Sequence, residues 1–357
     1  MFDLTGRPLF VIAVLGAIAL PVVAAVLWTR ASRPGATPRP HQRLRAVGRL
    51  LALFLAQALA CLALFLHVNN VFGFYASWDD LLGIGGQGPA RVSAQGLDAG
   101  QGRFQAFPIR GAAARGDVLV WLPPGYDDPA NAQVRYPVVM FLPGVPSTPA
   151  NLNRQFDVGA QASKAILSGT VKPFIVVMPP AIIAPPRDTE CMDVPRGPQA
   201  ESWLVRDVVD GIVRGYRAVE PGPQWSLMGW STGGICSTKI ALRFPTRFGA
   251  AVSIGGDSEP YIDNTTGDLF GGSQQLRNEN TATWLYKQHK TRGVKLLLIA
   301  GKQDRSSWPS TQKLVNLAKG DPNVSLLTFP TGGHNLNGYR PLVPQMFAWL
   351  QRVRAFG

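Results

Sequence analysis

The chain is poor in the residues that hold metal ions and form cross-links. It has three cysteines and four histidines among 357 residues, and no spacing of His, Cys and Asp suits a zinc site. The segment Gly83-Ile-Gly-Gly-Gln-Gly88 fits a dinucleotide-binding pattern, but it does not join an apolar strand to a helix, as such a site requires. We therefore expect neither a metal ion nor another cofactor.

Charged residues are missing from two long stretches near the N-terminus. Residues 9–28 carry no charge, and residues 50–68 are apolar apart from Gln57 and His67. Each stretch is long enough to cross a hydrocarbon core as a helix. A cleaved signal peptide is the alternative for the first, but the basic region and small-residue cleavage site of such peptides are not evident here. The sequence predicts two transmembrane helices.

Acidic residues are absent from the segment between these stretches, which instead is rich in arginine. Its arginines are Arg30, Arg33, Arg39, Arg43, Arg45 and Arg49. Short arginine-rich loops stay on the cytoplasmic side, so we expect a multi-pass membrane protein with everything after residue 70 outside. The loop contains proline and lacks interleaved aromatics, which favours anionic lipid headgroups over nucleic acid as its partner. The net charge of +13 divides into +6 for residues 1–75 and +7 for the rest.

Composition divides the chain into a membrane anchor at 1–75, a juxtamembrane segment and linker at 76–103, and a folded domain at 104–357. In the folded domain, short runs rich in Val, Ile and Leu alternate with longer amphipathic segments. We predict strands at 118–122, 136–142, 174–178, 225–228, 250–254, 294–300 and 324–329, and helices at 151–168, 200–219, 236–244, 281–292, 310–319 and 342–356. This alternation predicts an α/β fold whose mostly parallel sheet has helices on both faces. Functional residues of such sheets lie beyond the carboxyl ends of the strands.

The segment Gly229-Trp-Ser-Thr-Gly233 follows one of these strands and precedes a helix. A Gly-x-Ser-x-Gly pattern in that context is typical of a nucleophile elbow, a sharp turn that presents a serine at a helix N-terminus. The glycines are needed because the backbone segments approach too closely for a Cβ. A glycine-rich turn is the alternative. The pattern makes Ser231 the candidate nucleophile.

A serine nucleophile needs a base and a carboxylate that orients the base. Only His289 and His334 lie beyond the linker. His289 falls in a polar helical stretch, whereas His334 follows the last predicted strand, so His334 is the preferred base. Asp304 follows the preceding strand and is the preferred acid, with Asp257 as its competitor. The order Ser231, Asp304, His334 is the order of an α/β-hydrolase triad.

An oxyanion hole needs two backbone N–H donors near the nucleophile. Thr232 follows Ser231 and supplies the first. The loop after Leu142 supplies the second, and because its prolines have no N–H, the donor is Gly144 or Val145, of which we prefer Val145.

Two cysteines lie in the part expected outside the membrane, where oxidising conditions allow a disulfide. Cys236 follows Ser231 by five residues on the same predicted helix, and Cys191 lies in the loop at 187–195. A bond between them would clamp that loop over the active-site side, while two buried free thiols are the alternative. Cys61 falls in the second apolar stretch.

Several segments together resemble the esterase D and mycolyltransferase family of α/β-hydrolases, in particular its membrane-tethered actinobacterial members. They are Leu142-Pro-Gly-Val-Pro, Asp188-Thr-Glu-Cys-Met-Asp-Val-Pro, Gly229-Trp-Ser-Thr-Gly-Gly, Phe244-Pro-Thr-Arg-Phe-Gly-Ala-Ala and Gly332-Gly-His-Asn. The resemblance covers residues 104–357 and implies a serine esterase or acyltransferase. It assigns Ser231 as nucleophile, His334 as base, and Val145 and Thr232 as oxyanion donors. Mycolyltransferases use Glu as the acid, whereas this chain offers Asp304, which favours hydrolysis.

The two predicted spans suggest that the substrate lies in the membrane or is made there. Lipid acyl esters, aminoacylated phospholipids and acyl groups of the cell envelope are the candidates. The alternatives are mycolyltransferase-type acyl transfer between envelope lipids and a non-catalytic hydrolase-fold protein that organises envelope partners.

Overall fold

The computed structural model describes residues 4, 6–31, 42–72, 75, 78–82, 101–331 and 333–357. The chain divides into two compact units, Met1–Ile84 and Gly85–Gly357. Most of the predicted linker, including the glycine-rich pattern at 83–88, lies outside the described residues. The same holds for Arg33 and Arg39 of the predicted basic loop.

The first unit contains two long helices, α1 (Arg7–Ala31) and α2 (Gln42–Phe72), and the short α3 (Trp78–Leu82). The apolar windows Arg7–Val26 and Val47–Asn70 have mean hydropathies of 2.8 and 2.3 and are long enough to cross a bilayer. The two helices pack closely, since a Cβ on Gly16 would lie 2.6 Å from Leu59 Cδ1. Most other apolar side chains of both windows face outward.

The second unit is built on an eight-stranded sheet in the order β1-β2-β4-β3-β5-β6-β7-β8. The first two strands are antiparallel to their neighbours, and all other pairs are parallel. The strands are β1 (Arg103–Arg110), β2 (Arg115–Leu122), β3 (Val138–Leu142), β4 (Ile175–Met178), β5 (Gly222–Trp230), β6 (Phe248–Ile254), β7 (Lys295–Gly301) and β8 (Val324–Phe329). All seven predicted strands are present.

The edge strand β1 was not predicted. Most of its side chains are exposed, and it contains Pro108, so it lacks the continuous apolar run by which the other strands were found. An edge strand tolerates proline because one of its sides makes no ladder hydrogen bonds.

Helices cover both faces of the sheet, as predicted. They are α4 (Pro149–Phe156), α5 (Val158–Leu167), α6 (Ala200–Ser202), α7 (Val209–Gly215), α8 (Thr232–Arg243), α9 (Gln274–Glu279), α10 (Ala282–His289), α11 (Trp308–Leu317), α12 (Leu336–Tyr339) and α13 (Val343–Arg352). A π-helical turn at Trp203–Val208 joins α6 to α7. The side chains of β3 and β4 are all buried between these layers.

Two of the predicted helices are interrupted or shortened by residues with positive φ, and two short helices were missed. The helix predicted over 151–168 is two helices, because Asp157 has φ 50° and ψ 45°, a left-handed conformation that ends α4. The helix predicted over 281–292 ends at His289, since Lys290 and Arg292 also have positive φ. Helices α9 and α12 were not predicted. The domain therefore follows the predicted order of elements, with breaks where single residues leave the helical region.

Candidate active site

Ser231 lies at the turn between β5 and α8, at the carboxyl edge of the sheet. Its φ of 56° and ψ of −119° are rare for a residue with a side chain. The turn is tightly packed, because a Cβ on Gly229 would lie 1.9 Å from the carbonyl oxygen of Gly233, and a Cβ on Gly233 would lie 2.2 Å from that of Leu142. Both glycines of the pattern are therefore required by backbone contacts, and the turn is not a loose glycine-rich loop.

Replacing Gly229 with alanine is expected to lower the free energy of unfolding by more than about 3 kcal/mol, because the new methyl group overlaps backbone atoms that have no room to move. The matched control is Gly222→Ala in the same strand, where a Cβ would meet only an atom 4.0 Å away. Urea unfolding of both variants checks this. Equal midpoints for the two would contradict the packing described for the turn.

His334 lies between Ser231 and Asp304 and is within hydrogen-bonding distance of both. Its Nε2 is 3.0 Å from Ser231 Oγ, and its Nδ1 is 2.8 Å from Asp304 Oδ2. The three residues come from the ends of β5, β7 and β8, which the parallel sheet brings to one edge. The structure thus brings together the three side chains that the sequence singled out.

Asp304 is completely buried in a cluster of hydrogen-bond donors. Its carboxylate accepts hydrogen bonds from the hydroxyls of Ser306, Ser307 and Tyr339 and from two backbone N–H groups. Burial raises the pKa of this carboxyl, but the hydrogen bonds from His334, Ser306 and Tyr339 outweigh burial and hold the pKa below its usual range. Asp304 is therefore a carboxylate at neutral pH and can accept a hydrogen bond from Nδ1–H of His334.

The alternative candidates for the acid and the base, Asp257 and His289, have other surroundings. Asp257 Oδ1 accepts hydrogen bonds from the backbone N–H groups of Ser258 and Glu259 and from the hydroxyl of Ser310. This is the role of a turn-capping residue, and among the described residues no hydrogen bond or ion pair joins Asp257 to His334. His289 is exposed at the end of α10.

The loop after β3 lies against the nucleophile. A Cβ on Gly144 would be 3.0 Å from Ser231 Cβ, and the Ser147 N–H donates to the Gly144 carbonyl, which closes a turn. Within the described part of the chain, the N–H groups of Val145 and Thr232 have no hydrogen-bond acceptor. Both donors expected for an oxyanion hole therefore belong to the segments that meet at Ser231, and neither is engaged elsewhere.

Two aromatic residues complete the site, and sequence reasoning did not single them out. Trp230 stacks on His334, with ring centroids 4.5 Å apart and planes 15° from parallel. Tyr339 packs edge-on against Trp230 at 4.9 Å and donates its hydroxyl hydrogen to Asp304. Trp230 is the second residue of the Gly-x-Ser-x-Gly pattern, so its position was visible in the sequence. Tyr339 carries no comparable signal.

A disulfide joins Cys191 to Cys236, with their Cα atoms 5.7 Å apart. It attaches the loop before α6 to the helix that begins after Ser231. The pair was one of two possibilities that the sequence left open, and the structure contains the disulfide. Cys61 is a free, exposed cysteine on α2.

A buried ammonium group holds the same loop. Lys239 on α8 is fully buried, and its Nζ donates to the Glu190 carbonyl at 2.6 Å and to Asn280 Oδ1 at 2.8 Å. Burial lowers the pKa of Lys239 and raises that of the Glu190 carboxyl. The disulfide and these hydrogen bonds together fix the loop to α8.

The double substitution Cys191→Ala/Cys236→Ala is expected to lower the free energy of unfolding by about 2–4 kcal/mol, because it releases a loop closed over 45 residues. Cys61→Ala is the matched control and should leave stability within about 0.5 kcal/mol of the parent. Denaturant unfolding without reductant measures both. An unchanged midpoint for the double variant would show that the bond contributes nothing to stability.

Sequence comparison finds a family and a distant relative. A family model named Esterase matches residues 114–349. An uncharacterised protein of Corynebacterium glutamicum is 25% identical over 255 residues, which cover 66% of this chain and 57% of that protein. The chain therefore spans little more than half the length of this relative.

Structure comparison finds similar folds among esterases and hydrolases. A ferulic acid esterase matches with a TM-score of 0.62 at 17% identity, covering 71% of this chain and 99% of the other. An S-formylglutathione hydrolase from Agrobacterium tumefaciens has a TM-score of 0.61 at 18% identity, with coverages of 73% and 98%. The fluorophosphonate-binding serine hydrolase F of Staphylococcus aureus has a TM-score of 0.59 at 16% identity, with coverages of 70% and 98%. This likeness confirms the predicted α/β-hydrolase fold.

Proposed function

Since the chain belongs to the Esterase family, we propose that it is a serine esterase that cleaves carboxylic esters through an acyl-enzyme on Ser231. The observation that best supports this proposal is the position of His334, whose two ring nitrogens lie 3.0 Å from Ser231 Oγ and 2.8 Å from Asp304 Oδ2. A histidine held in this way can take a proton from the serine at one nitrogen while the carboxylate stabilises the charge at the other.

The reaction proceeds in two halves. Ser231 Oγ attacks the ester carbonyl as its proton passes to His334 Nε2, and the N–H groups of Val145 and Thr232 donate to the oxyanion. His334 then gives the proton to the departing alcohol, which leaves the acyl group on Ser231. A water molecule, deprotonated by His334, attacks the carbonyl carbon of this acyl-enzyme, and the bond from that carbon to Ser231 Oγ breaks. His334 returns the proton to Ser231 Oγ as the carboxylic acid leaves, which restores the serine.

We propose further that α1 and α2 anchor the enzyme in a membrane, with the second unit on the external face. Their length and hydropathy support this, together with Arg30, Arg43, Arg45 and Arg49 at the ends of the two helices that face the connecting segment. A signal sequence is the alternative for α1 alone, and it leaves the 24-residue apolar window of α2 unexplained. An enzyme anchored in this way acts on acyl esters of lipids or of the envelope.

The test uses the full chain reconstituted in vesicles of ether-linked phosphatidylglycerol, which has the anionic headgroup but no acyl ester of its own. A lipid acyl ester is placed either in the same vesicles as the enzyme or in separate vesicles, and Ser231→Ala corrects for background. We expect hydrolysis to be at least about tenfold faster when enzyme and lipid share a vesicle, because anchoring raises the local substrate concentration. Mass spectrometry identifies the product as a free acid.

Two outcomes would count against parts of the proposal. Equal rates in shared and separate vesicles would contradict action on membrane lipids. If a new ester on an added alcohol or sugar formed faster than the free acid, the reaction of the enzyme would be acyl transfer and not hydrolysis.

A further inference from the structure

The indole of Trp230 covers one face of the His334 ring. The ring centroids are 4.5 Å apart, and the planes lie within 15° of each other. Trp230 is 6% exposed and immediately precedes the nucleophile, so its backbone is part of the same tight turn. The two nitrogens of His334 make their hydrogen bonds at the ring edge, and the stacked face is free of hydrogen bonds.

Trp230 cannot easily turn away from the histidine. Phe156 and Tyr339 pack edge-on against its ring, at centroid distances of 5.8 and 4.9 Å. On a further side, a Cβ on Gly255 would lie 2.9 Å from Trp230 Cζ3 and 3.2 Å from His334 Cε1, so there is no room for a side chain between this backbone and the two rings. The tryptophan is therefore held at a fixed distance from the imidazole.

The two hydrogen bonds of His334 leave one motion of its ring open. Bonds to Ser231 Oγ and Asp304 Oδ2 fix the positions of the two nitrogens, but the ring can still tilt about the line that joins them. Stacking on Trp230 removes this tilt. The restraint on the ring is needed because His334 lies in a loop and its side chain is 29% exposed.

The stack also places the negative face of an indole against a ring that becomes positively charged during acyl transfer. A cation over the face of tryptophan is stabilised by the ring quadrupole, and tryptophan is the best of the aromatic side chains in this role. Building on the proposed function, we propose that Trp230 is a positioning residue that fixes the plane of His334 and stabilises its protonated form in the transition state.

Within the described residues, the titratable groups facing His334 are Asp304, from the loop after β7, and Tyr339, from α12. Asp304 acts at the ring edge and Tyr339 packs edge-on at 6.3 Å. Neither occupies the stacked face. A change confined to the electron density of the indole therefore leaves both of these partners in place.

The test replaces Trp230 by tryptophans carrying one, two and three fluorine atoms on the ring. Fluorine withdraws electron density from the indole face and changes its volume little. We measure kcat/KM for 4-nitrophenyl acetate between pH 5 and 9. As fluorines are added, the pH-independent plateau of kcat/KM is expected to fall stepwise, by about fivefold in all. The reason is that the protonated histidine of the transition state is less stabilised. The half-point is the pH at which kcat/KM has fallen to half of its plateau on the acidic side. It is expected to move to lower pH by about half a unit, because the indole face stabilises a positive charge on the stacked ring less.

This pair of changes separates the proposal from a loss of packing. Trp230→Leu should show the same signs. Phe174→Leu is the matched control, since Phe174 is fully buried in the same core cluster but has no ring contact with Trp230 or His334 among the described residues. We expect Phe174→Leu to lower the melting temperature and to leave the half-point within about 0.1 unit of the parent. The fluorinated series keeps the test valid where Trp230→Leu fails to fold.

The outcomes distinguish the proposed role of Trp230 from the proposed esterase function. A half-point and plateau that do not change across the fluorinated series would overturn the role of Trp230, provided that Ser231→Ala has abolished hydrolysis. Hydrolysis that survives Ser231→Ala would overturn the proposed function itself.

Discussion

Replacing Ser231 with alanine is expected to lower kcat for ester hydrolysis by a factor of about 10⁴ to 10⁶. The variant keeps the fold, the oxyanion donors and the histidine, but it has no oxygen that can form the acyl-enzyme. The φ of 56° is also unfavourable for alanine, as it is for serine, so the substitution changes the backbone strain little. Hydrolysis of 4-nitrophenyl acetate by the purified full chain measures the effect.

The matched control is Ser237→Ala on the same helix. Ser237 Oγ is buried and donates to the Gly233 carbonyl, so its loss changes stability but not the nucleophile. We expect kcat within about threefold of the parent, because no transition-state contact is removed. Similar losses in the two variants would mean that disturbed packing, and not the missing nucleophile, explains the result at Ser231.

Replacing Asp304 with asparagine is expected to lower kcat by about 10⁴-fold. The amide has nearly the same size, but its NH₂ group cannot accept the hydrogen bond from Nδ1–H of His334. The histidine then favours the tautomer with a proton on Nε2, which cannot receive the proton of Ser231. The loss should be largest near neutral pH, where the base is needed in its neutral form.

Asp257→Asn is the control for this prediction, since Asp257 was the competing acid. Its carboxylate caps a turn and contacts Ser310. We expect a loss of stability of about 1 kcal/mol and a kcat within about threefold of the parent. A large fall in kcat for Asp257→Asn with a small one for Asp304→Asn would reverse the assignment.

Most of the sheet could be predicted because its strands are covered on both faces. Segments such as those of β3 and β7 are continuous apolar runs, and this pattern does not depend on tertiary context. The edge strand β1 is different, since its side chains are mostly exposed and its partner is needed to hold it. Its sequence resembles a polar loop until β2 is placed beside it.

The three residues at the sheet edge could be found because each directly follows a predicted strand. Parallel strands end at one edge, so Ser231, Asp304 and His334 were expected to be neighbours before their distances were known. Their catalytic roles remain a proposal.

The surroundings of these residues could not be predicted in the same way. Tyr339 reaches Asp304 only because α12 folds back over the end of β7, where the Gly301 N–H donates to its hydroxyl. Lys239 would be placed on an exposed helix face by its charge, yet it is fully buried because Glu190 and Asn280 lie above it. Contacts of this kind join residues far apart in the chain and leave no periodic signal.

The central claim is that Ser231 is a nucleophile activated by His334, and labelling with a fluorophosphonate probe tests it most directly. The purified full chain is incubated with the probe, digested and analysed by mass spectrometry. We predict one phosphonylated serine, Ser231, labelled fastest above neutral pH and at least about 10³ times more slowly in His334→Ala, which lacks the base. A folded wild-type enzyme that is not labelled at Ser231, or is labelled equally fast without His334, would contradict the account.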